Sequence, residues 1–138
     1  FAKKLTIPMV RLFSAIRISD DLVNDKSYYF EEVLTIKEMI SESNSGNKNL
    51  FLLDEVFKGT NSTERIAAGK AVLSALAKNR NLVFVATHDI ELTDMLSDAY
   101  ELYHFSETVA SRTVGFDYKL KEGNLRNRNA IRILEINE

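Results

Sequence analysis

Cysteine is absent from the 138 residues, which excludes disulfides and thiolate metal sites and fits a reducing, cytoplasmic setting. No apolar run approaches the roughly 18 residues needed to span a bilayer, and no secretory signal opens the chain, so no membrane partner is expected. An excess of positive charge is missing as well. The net charge of -2 leaves no electrostatic footprint for nucleic acid over the whole chain, so any DNA contact has to be local or lie elsewhere. What is present is ordinary for a globular protein: 45% hydrophobic and 28% charged residues, one domain's worth of chain able to bury a real core. The chain opens at Phe1-Ala2-Lys3-Lys4 without an initiator Met and reads as an excised piece of a longer protein.

The organising stretch is Leu50-Phe51-Leu52-Leu53-Asp54-Glu55, followed by Val56-Phe57-Lys58-Gly59-Thr60-Asn61-Ser62. Four apolar residues ending in two carboxylates and a turn predict a buried parallel strand that delivers its acids to the carboxyl edge of a sheet, where open α/β sheets bind ligands. Nucleotide hydrolases use this arrangement as a Walker B element, with the first acid on Mg²⁺ and the second facing the attacking water. A core strand ending in solvated acids is the competing reading of these residues alone. Asn61 followed by Glu64 has capping-box spacing and predicts a helix with Ile66, Ala67, Leu73, Leu76 and Ala77 inward, ending near Lys78–Asn81. Leu82–Thr87 is a second continuous apolar strand, ending in His88-Asp89. A strand, a helix and a strand predict a right-handed βαβ unit with Asp54, Glu55 and His88 at one edge. Two carboxylates and an imidazole so placed suit phosphoryl transfer, although a lone His at a strand end is commonly bonded to backbone.

Upstream, Val10, Leu12, Ile16 and Ile18 predict an extended strand, and Ser19–Ser27 a polar loop. A helix is expected from Ser27, as N-cap, to Ile40 or Ser43, with Phe30, Val33, Leu34, Ile36 and Ile40 in period and Glu31 and Glu32 near its positive end. Ser41–Asn49 is low in complexity and reads as a mobile surface loop. A phosphate cradle should accompany the acids, yet no Gly-x-x-x-x-Gly-Lys-Ser/Thr occurs, and Gly69-Lys70-Ala71 falls inside a predicted helix. The metal and water half of a nucleotide site is therefore present without its phosphate-binding half.

Phe51-Leu52-Leu53-Asp54-Glu55, then Gly59-Thr60-Asn61-Ser62, then Ala86-Thr87-His88-Asp89-Ile90-Glu91-Leu92-Thr93 resembles the ATPase domain of the MutS DNA mismatch repair family. Ser19-Asp20-Asp21-Leu22 and Lys26-Ser27-Tyr28-Tyr29-Phe30-Glu31-Glu32 look like the same family's Asp-Asp-Leu and Ser-x-Phe-x-x-Glu segments. The four motifs run in family order from about Ile7 to Thr93, and the likeness weakens after residue 100. The resemblance implies an ABC-class P-loop ATPase that works as a dimer with composite ATP and Mg²⁺ sites. Asp54 would support Mg²⁺, Glu55 activate water, and His88 act as the switch histidine. Thr60, Asn61 and Ser62 would form a loop crossing to the partner, and Ser27 would be donated to the nucleotide bound by the other subunit.

The implied fold is the C-terminal part, residues 1–138, of a P-loop NTPase half-domain: a largely parallel sheet flanked by helices, with an antiparallel edge hairpin. The Walker A loop would lie upstream, leaving this piece nearly inactive alone. The implied function is ATP hydrolysis coupled in a dimer to binding of mismatched DNA, mainly through other domains. Val56-Phe57-Lys58 stands where mismatch-repair members usually carry a glycine and a basic residue, Tyr29 where Phe is usual and Val33 where Met is usual. These departures leave open a paralogue acting on recombination or other DNA structures, or a non-hydrolysing interaction module. A transporter-type domain is disfavoured because no Leu-Ser-Gly-Gly-Gln occurs.

Beyond residue 99, Tyr100–Phe105 and Val114–Leu120 alternate and are expected to pair as the antiparallel hairpin, with His104 an ordinary strand residue. Asn129–Ile136 predicts a last short helix. Lys119, Lys121, Arg126, Arg128 and Arg132 form a small basic cluster, read as a solvated face in preference to a DNA contact.

Overall fold

The computed structural model describes residues 3–16, 25–110 and 113–125. The chain divides into two compact units, Phe1–Leu92 and Thr93–Glu138. In the first, β1 (Arg11–Ala15), β2 (Asn49–Asp54) and β3 (Leu82–Ala86) form a parallel sheet in the order β1-β2-β3. Leu12, Leu50 and Leu82 stand in register on one row, and Phe13, Phe51 and Val83 on the next. Helix α1 (Asp25–Ser43) joins β1 to β2, and α2 (Ser62–Leu76) joins β2 to β3. The two helices pack on each other, as successive right-handed crossovers that step in one direction require.

Side chains alternate across a strand, so this layering divides the sheet's residues into two sets. Phe51 and Leu53 are buried, with the Phe13 and Phe51 rings 5.5 Å apart. The other face carries Leu12, Leu82 and Phe84, all exposed, with Phe84 at 63%. The expectation of a second buried strand at Leu82–Thr87 is therefore corrected: its residues alternate between exposed and half-buried. Apolar composition reported that this strand can be covered twice, and only one cover is present among the described residues.

Helix α1 buries Ile36, Met39 and Ser43, spaced by three and four residues, while Phe30 and Leu34 are exposed. The predicted α1 stripe thus shifts around the helix, because Met39 faces the core where Phe30 and Leu34 were expected to. Helix α1 also begins at Asp25, which places Ser27 within the first turn, in correction of its expected role as N-cap. In α2 the predicted cap holds: Asn61 Oδ1 accepts the Glu64 N–H at 3.0 Å. Leu73 and Leu76 are buried as expected, and Gly69 and Val72 join them, whereas Ala67 is exposed. Gly69 sits in close packing, since a Cβ there would stand 3.1 Å from Leu92 Cδ2 and the leucine would have to give way.

The stretch read as a mobile loop is instead a polar clasp. Ser41–Ser43 belong to α1 and Asn49 to β2. Asn49, fully buried, donates through Nδ2 to the Glu42 carbonyl at 2.9 Å and to Asn81 Oδ1 at 3.1 Å. Asn79 Nδ2 donates to the Ser43 carbonyl at 3.0 Å, and Asn44 Nδ2 to the Ile40 carbonyl at 2.9 Å. The last carbonyls of a helix have no partners within it, and these asparagines supply them.

Helix α3 (Ile90–Met95) follows β3. In the second unit β4 (Tyr103–His104) pairs antiparallel with β7 (Lys121–Glu122), and β5 (Glu107–Ala110) with β6 (Thr113–Phe116). The expected single hairpin of 100–105 with 114–120 is thereby replaced by two nested pairs. His104 is a half-buried strand residue bonded through Nδ1 to the Gly123 carbonyl at 2.8 Å, in line with its ordinary reading. Lys121 is engaged by Asp117 at 2.8 Å. Arg126, Arg128, Arg132 and the predicted 129–136 helix lie outside the described residues. Among the described residues no helix is long and apolar enough to cross a membrane.

Candidate functional site

Asp54 ends β2 opposite Ala86 of β3, and the Glu55 N–H donates to the Ala86 carbonyl at 3.0 Å, extending the ladder by one residue. The chain then leaves the sheet abruptly. Glu55 has φ 52° and Phe57 φ 60°, both left-handed, a conformation that costs a non-glycine residue roughly 1–2 kcal/mol. Two anchors hold this turn. Val56 and Phe57 are buried, and the Phe57 N–H donates to Glu32 Oε1 of α1 at 2.7 Å.

The turn brings Glu55 to the segment after β3. Its Oε1 accepts the backbone N–H of His88 at 2.8 Å, while the His88 ring Nε2 lies 3.8 Å from the same oxygen, beyond hydrogen-bond reach. The Glu55 side chain is 21% exposed and the His88 side chain 95%. Asp54, Glu55 and His88 thus meet at the carboxyl edge of the sheet, as their positions in the sequence predict. The described residues contain no group of three or more His, Cys, Asp or Glu side chains able to hold a metal ion.

Thr60, Asn61 and Ser62 lie where this edge turns into α2, but their groups are already partly used. Thr60 Oγ1 donates to the Phe57 carbonyl at 3.2 Å, Asn61 caps α2, and Ser62 is the exposed first residue of that helix. The same turn passes α1, with Gly59 beside the Tyr29 ring. Ser27 is placed only by its backbone, in the first turn of α1; its side chain lies outside the described set.

Three residues of the edge escape sequence reasoning. Glu32 reaches the Phe57 amide across 25 positions. Arg65 of α2 makes a two-pronged pair with Asp89, Nε to Oδ2 at 2.8 Å and Nη2 to Oδ1 at 2.9 Å. The hydrogen bond from Arg65 holds the Asp89 carboxyl below the usual carboxylate range, and Asp89 in turn raises Arg65. The signal available was a charged residue in the first turn of a helix beside a strand-end acid, and neither identifies its partner.

The model of the family described as MutS domain V matches residues 2–138. The chain belongs to the MutS family. Among its MutS-family relatives is a protein of Clostridium perfringens described as DNA mismatch repair protein MutS. It is 30% identical over 128 residues, which cover 88% of this chain and 14% of the relative. Proteins of the same description from Listeria monocytogenes and Aquifex pyrophilus are each 28% identical, over 99% and 97% of this chain. The chain spans 14% to 16% of the length of these relatives.

Proposed function

We propose that this chain is the C-terminal part of the ATPase domain of a MutS-family mismatch-repair protein, in which ATP turnover in a cytoplasmic dimer is coupled to DNA binding. The observation that carries the reading is the Glu55 carboxylate. It stands at the carboxyl edge of a parallel sheet next to Asp54, oriented by the His88 amide at 2.8 Å. A carboxylate fixed through one oxygen keeps the other for a proton from water, which is what a general base requires. Asp54 suits Mg²⁺, a cation that keeps several waters and takes one or two carboxylates together with substrate phosphates, so a cluster of protein ligands is not needed. ATP with Mg²⁺, when bound, supplies a phosphoanhydride whose charge is partly neutralised. In this reading the exposed His88 ring meets the terminal phosphate and the Thr60–Ser62 segment faces the partner subunit, with Ser27 assigned to the partner's nucleotide by the family resemblance alone.

The bare sheet face supports the same reading. Parallel sheets are normally covered on both faces. Leu12, Leu82 and Phe84 lie open among the described residues, and we place the phosphate-binding half of a P-loop domain over them. One observation favours a divergent branch of the family. Phe57 occupies, with φ 60°, a turn in which mismatch-repair members usually carry a glycine.

ATP turnover by the full-length protein, measured with matched and mismatched duplex and with increasing Mg²⁺, tests the proposal. Mg²⁺-dependent hydrolysis that a mismatch alters, and whose Mg²⁺ requirement rises in Asp54→Asn, is the expected result. Turnover altered equally by branched and mismatched DNA favours the paralogue reading, and absence of ATP binding overturns both.

A further inference from the structure

The segment that orients Glu55 is itself held from a distance. The Thr87-His88-Asp89 turn leaves β3 with the His88 side chain 95% exposed, so the ring cannot fix it by packing. Yet the His88 amide sits 2.8 Å from Glu55 Oε1. Within the turn, Thr87 Oγ1 accepts the Asp89 N–H at 3.1 Å. From outside, the Arg65 guanidinium grips both carboxylate oxygens of Asp89, at 2.8 and 2.9 Å. The Arg65 and Asp89 side chains are 23% and 17% exposed. A two-pronged pair in this partly shielded setting has fixed geometry and outweighs an exposed ion pair. Arg65 is in turn anchored, because its own N–H donates to the Asn61 carbonyl at 2.9 Å in the first turn of α2.

We propose that Arg65 is a positioning residue for the hydrolysis assigned to Glu55. Through Asp89 it holds the His88 amide against the Glu55 carboxylate, and it ties the Thr60–Ser62 segment to the same edge. The inference rests on the hydrolytic role proposed above for Glu55. The mechanism is geometric: without the fork the 87–89 turn drifts, the amide leaves Glu55, and the carboxylate loses the orientation its base role needs. Misplacement of a catalytic group by about 1 Å can cost on the order of 100-fold in rate. Lysine cannot replace the fork, since it presents a point charge where arginine presents two parallel donors.

The test uses the full-length protein with Arg65→Gln, Arg65→Lys, Asp89→Asn and the Arg65→Gln/Asp89→Asn double variant. Steady-state ATP turnover is measured for each, with amide hydrogen exchange at residues 87–89. Arg65→Gln is expected to lower kcat by about 10- to 100-fold while KM moves by less than about twofold. Arg65→Lys should fall between, the double variant should be no worse than the worse single one, and exchange at 87–89 should quicken. Unchanged kcat, additive losses, or kcat and KM shifting together with global exchange overturn the positioning role. A wild type that hydrolyses no ATP overturns the role of Glu55 and this inference together. A wild type that turns over while Arg65→Gln matches it overturns this inference alone.

Discussion

Replacing Phe57 by glycine sets backbone strain against burial. Glycine accepts φ 60° freely, so the substitution relieves roughly 1–2 kcal/mol of left-handed strain. Against this, Phe57 is only 7% exposed, and removing a buried phenylalanine side chain typically costs about 3–5 kcal/mol. Glycine also loses roughly 0.5–1 kcal/mol more chain entropy on folding. Burial wins, and the net effect is a loss of about 1.5–5 kcal/mol. Urea unfolding followed by circular dichroism should show the midpoint falling by about 0.5 M or more at unchanged slope, given slopes of roughly 1–3 kcal/mol per M. A midpoint at or above that of wild type refutes the reasoning. It would mean that the left-handed turn, and not the Phe57 side chain, sets the stability of the Glu55 segment.

Asn49→Leu removes the donor to Asn81 Oδ1 and one of three donors to the Glu42 carbonyl, which keeps the Ser45 N–H and hydroxyl. Denaturation should show a loss of about 0.5–1.5 kcal/mol, since the substitution also removes the buried Asn49 Oδ1, which has no partner among the described residues. Asp89 has a folded pKa below its ordinary value of 3.8, so its pairing stabilises the protein above that value, and the contribution is lost as pH falls through the folded value. The stability gap between wild type and Asp89→Asn should be full at neutral pH and close in strong acid, which unfolding curves across that range check. Tyr100 is pushed up by burial from 10.0 to about 12. Its contribution is complete below its ordinary value and declines as pH rises toward about 12. Tyrosinate absorbance should show a component that titrates toward about 12, beyond the smaller rise that the Glu101 hydrogen bond gives Tyr103, and Tyr100→Phe should remove that component and its alkaline slope.

The features legible in the sequence are those whose causes are local. Leu50–Asp54 is a strand because its apolar run is continuous and ends in acids, and Asn61 caps α2 because its acceptor lies three residues from Glu64. The meeting of Asp54, Glu55 and His88 follows from one topological rule applied to two strands. Illegible features depend on which surfaces meet. Phe30 and Leu34 fit a helical period as well as Met39 does, and only the position of the sheet decides which are buried. The alternating residues of 100–105 and 114–120 allow several registers, and the structure selects β4 with β7 and β5 with β6. Arg65 and Asp89 are 24 positions apart, and nothing in their spacing joins them. The left-handed φ of Phe57 is hidden for the opposite reason, since phenylalanine is a poor predictor of such a turn and burial overrides that preference.

The central claim is that Glu55 activates water at this edge, and Glu55→Gln in the full-length protein tests it most directly. The substitution keeps size and an acceptor for the His88 amide but removes the base. Nucleotide binding and single-turnover hydrolysis should be measured on the same preparation. The account predicts ATP binding close to wild type with hydrolysis slowed by about 100-fold or more. Hydrolysis at the wild-type rate would contradict it, and would leave the Glu55 carboxylate as a structural partner of the His88 amide.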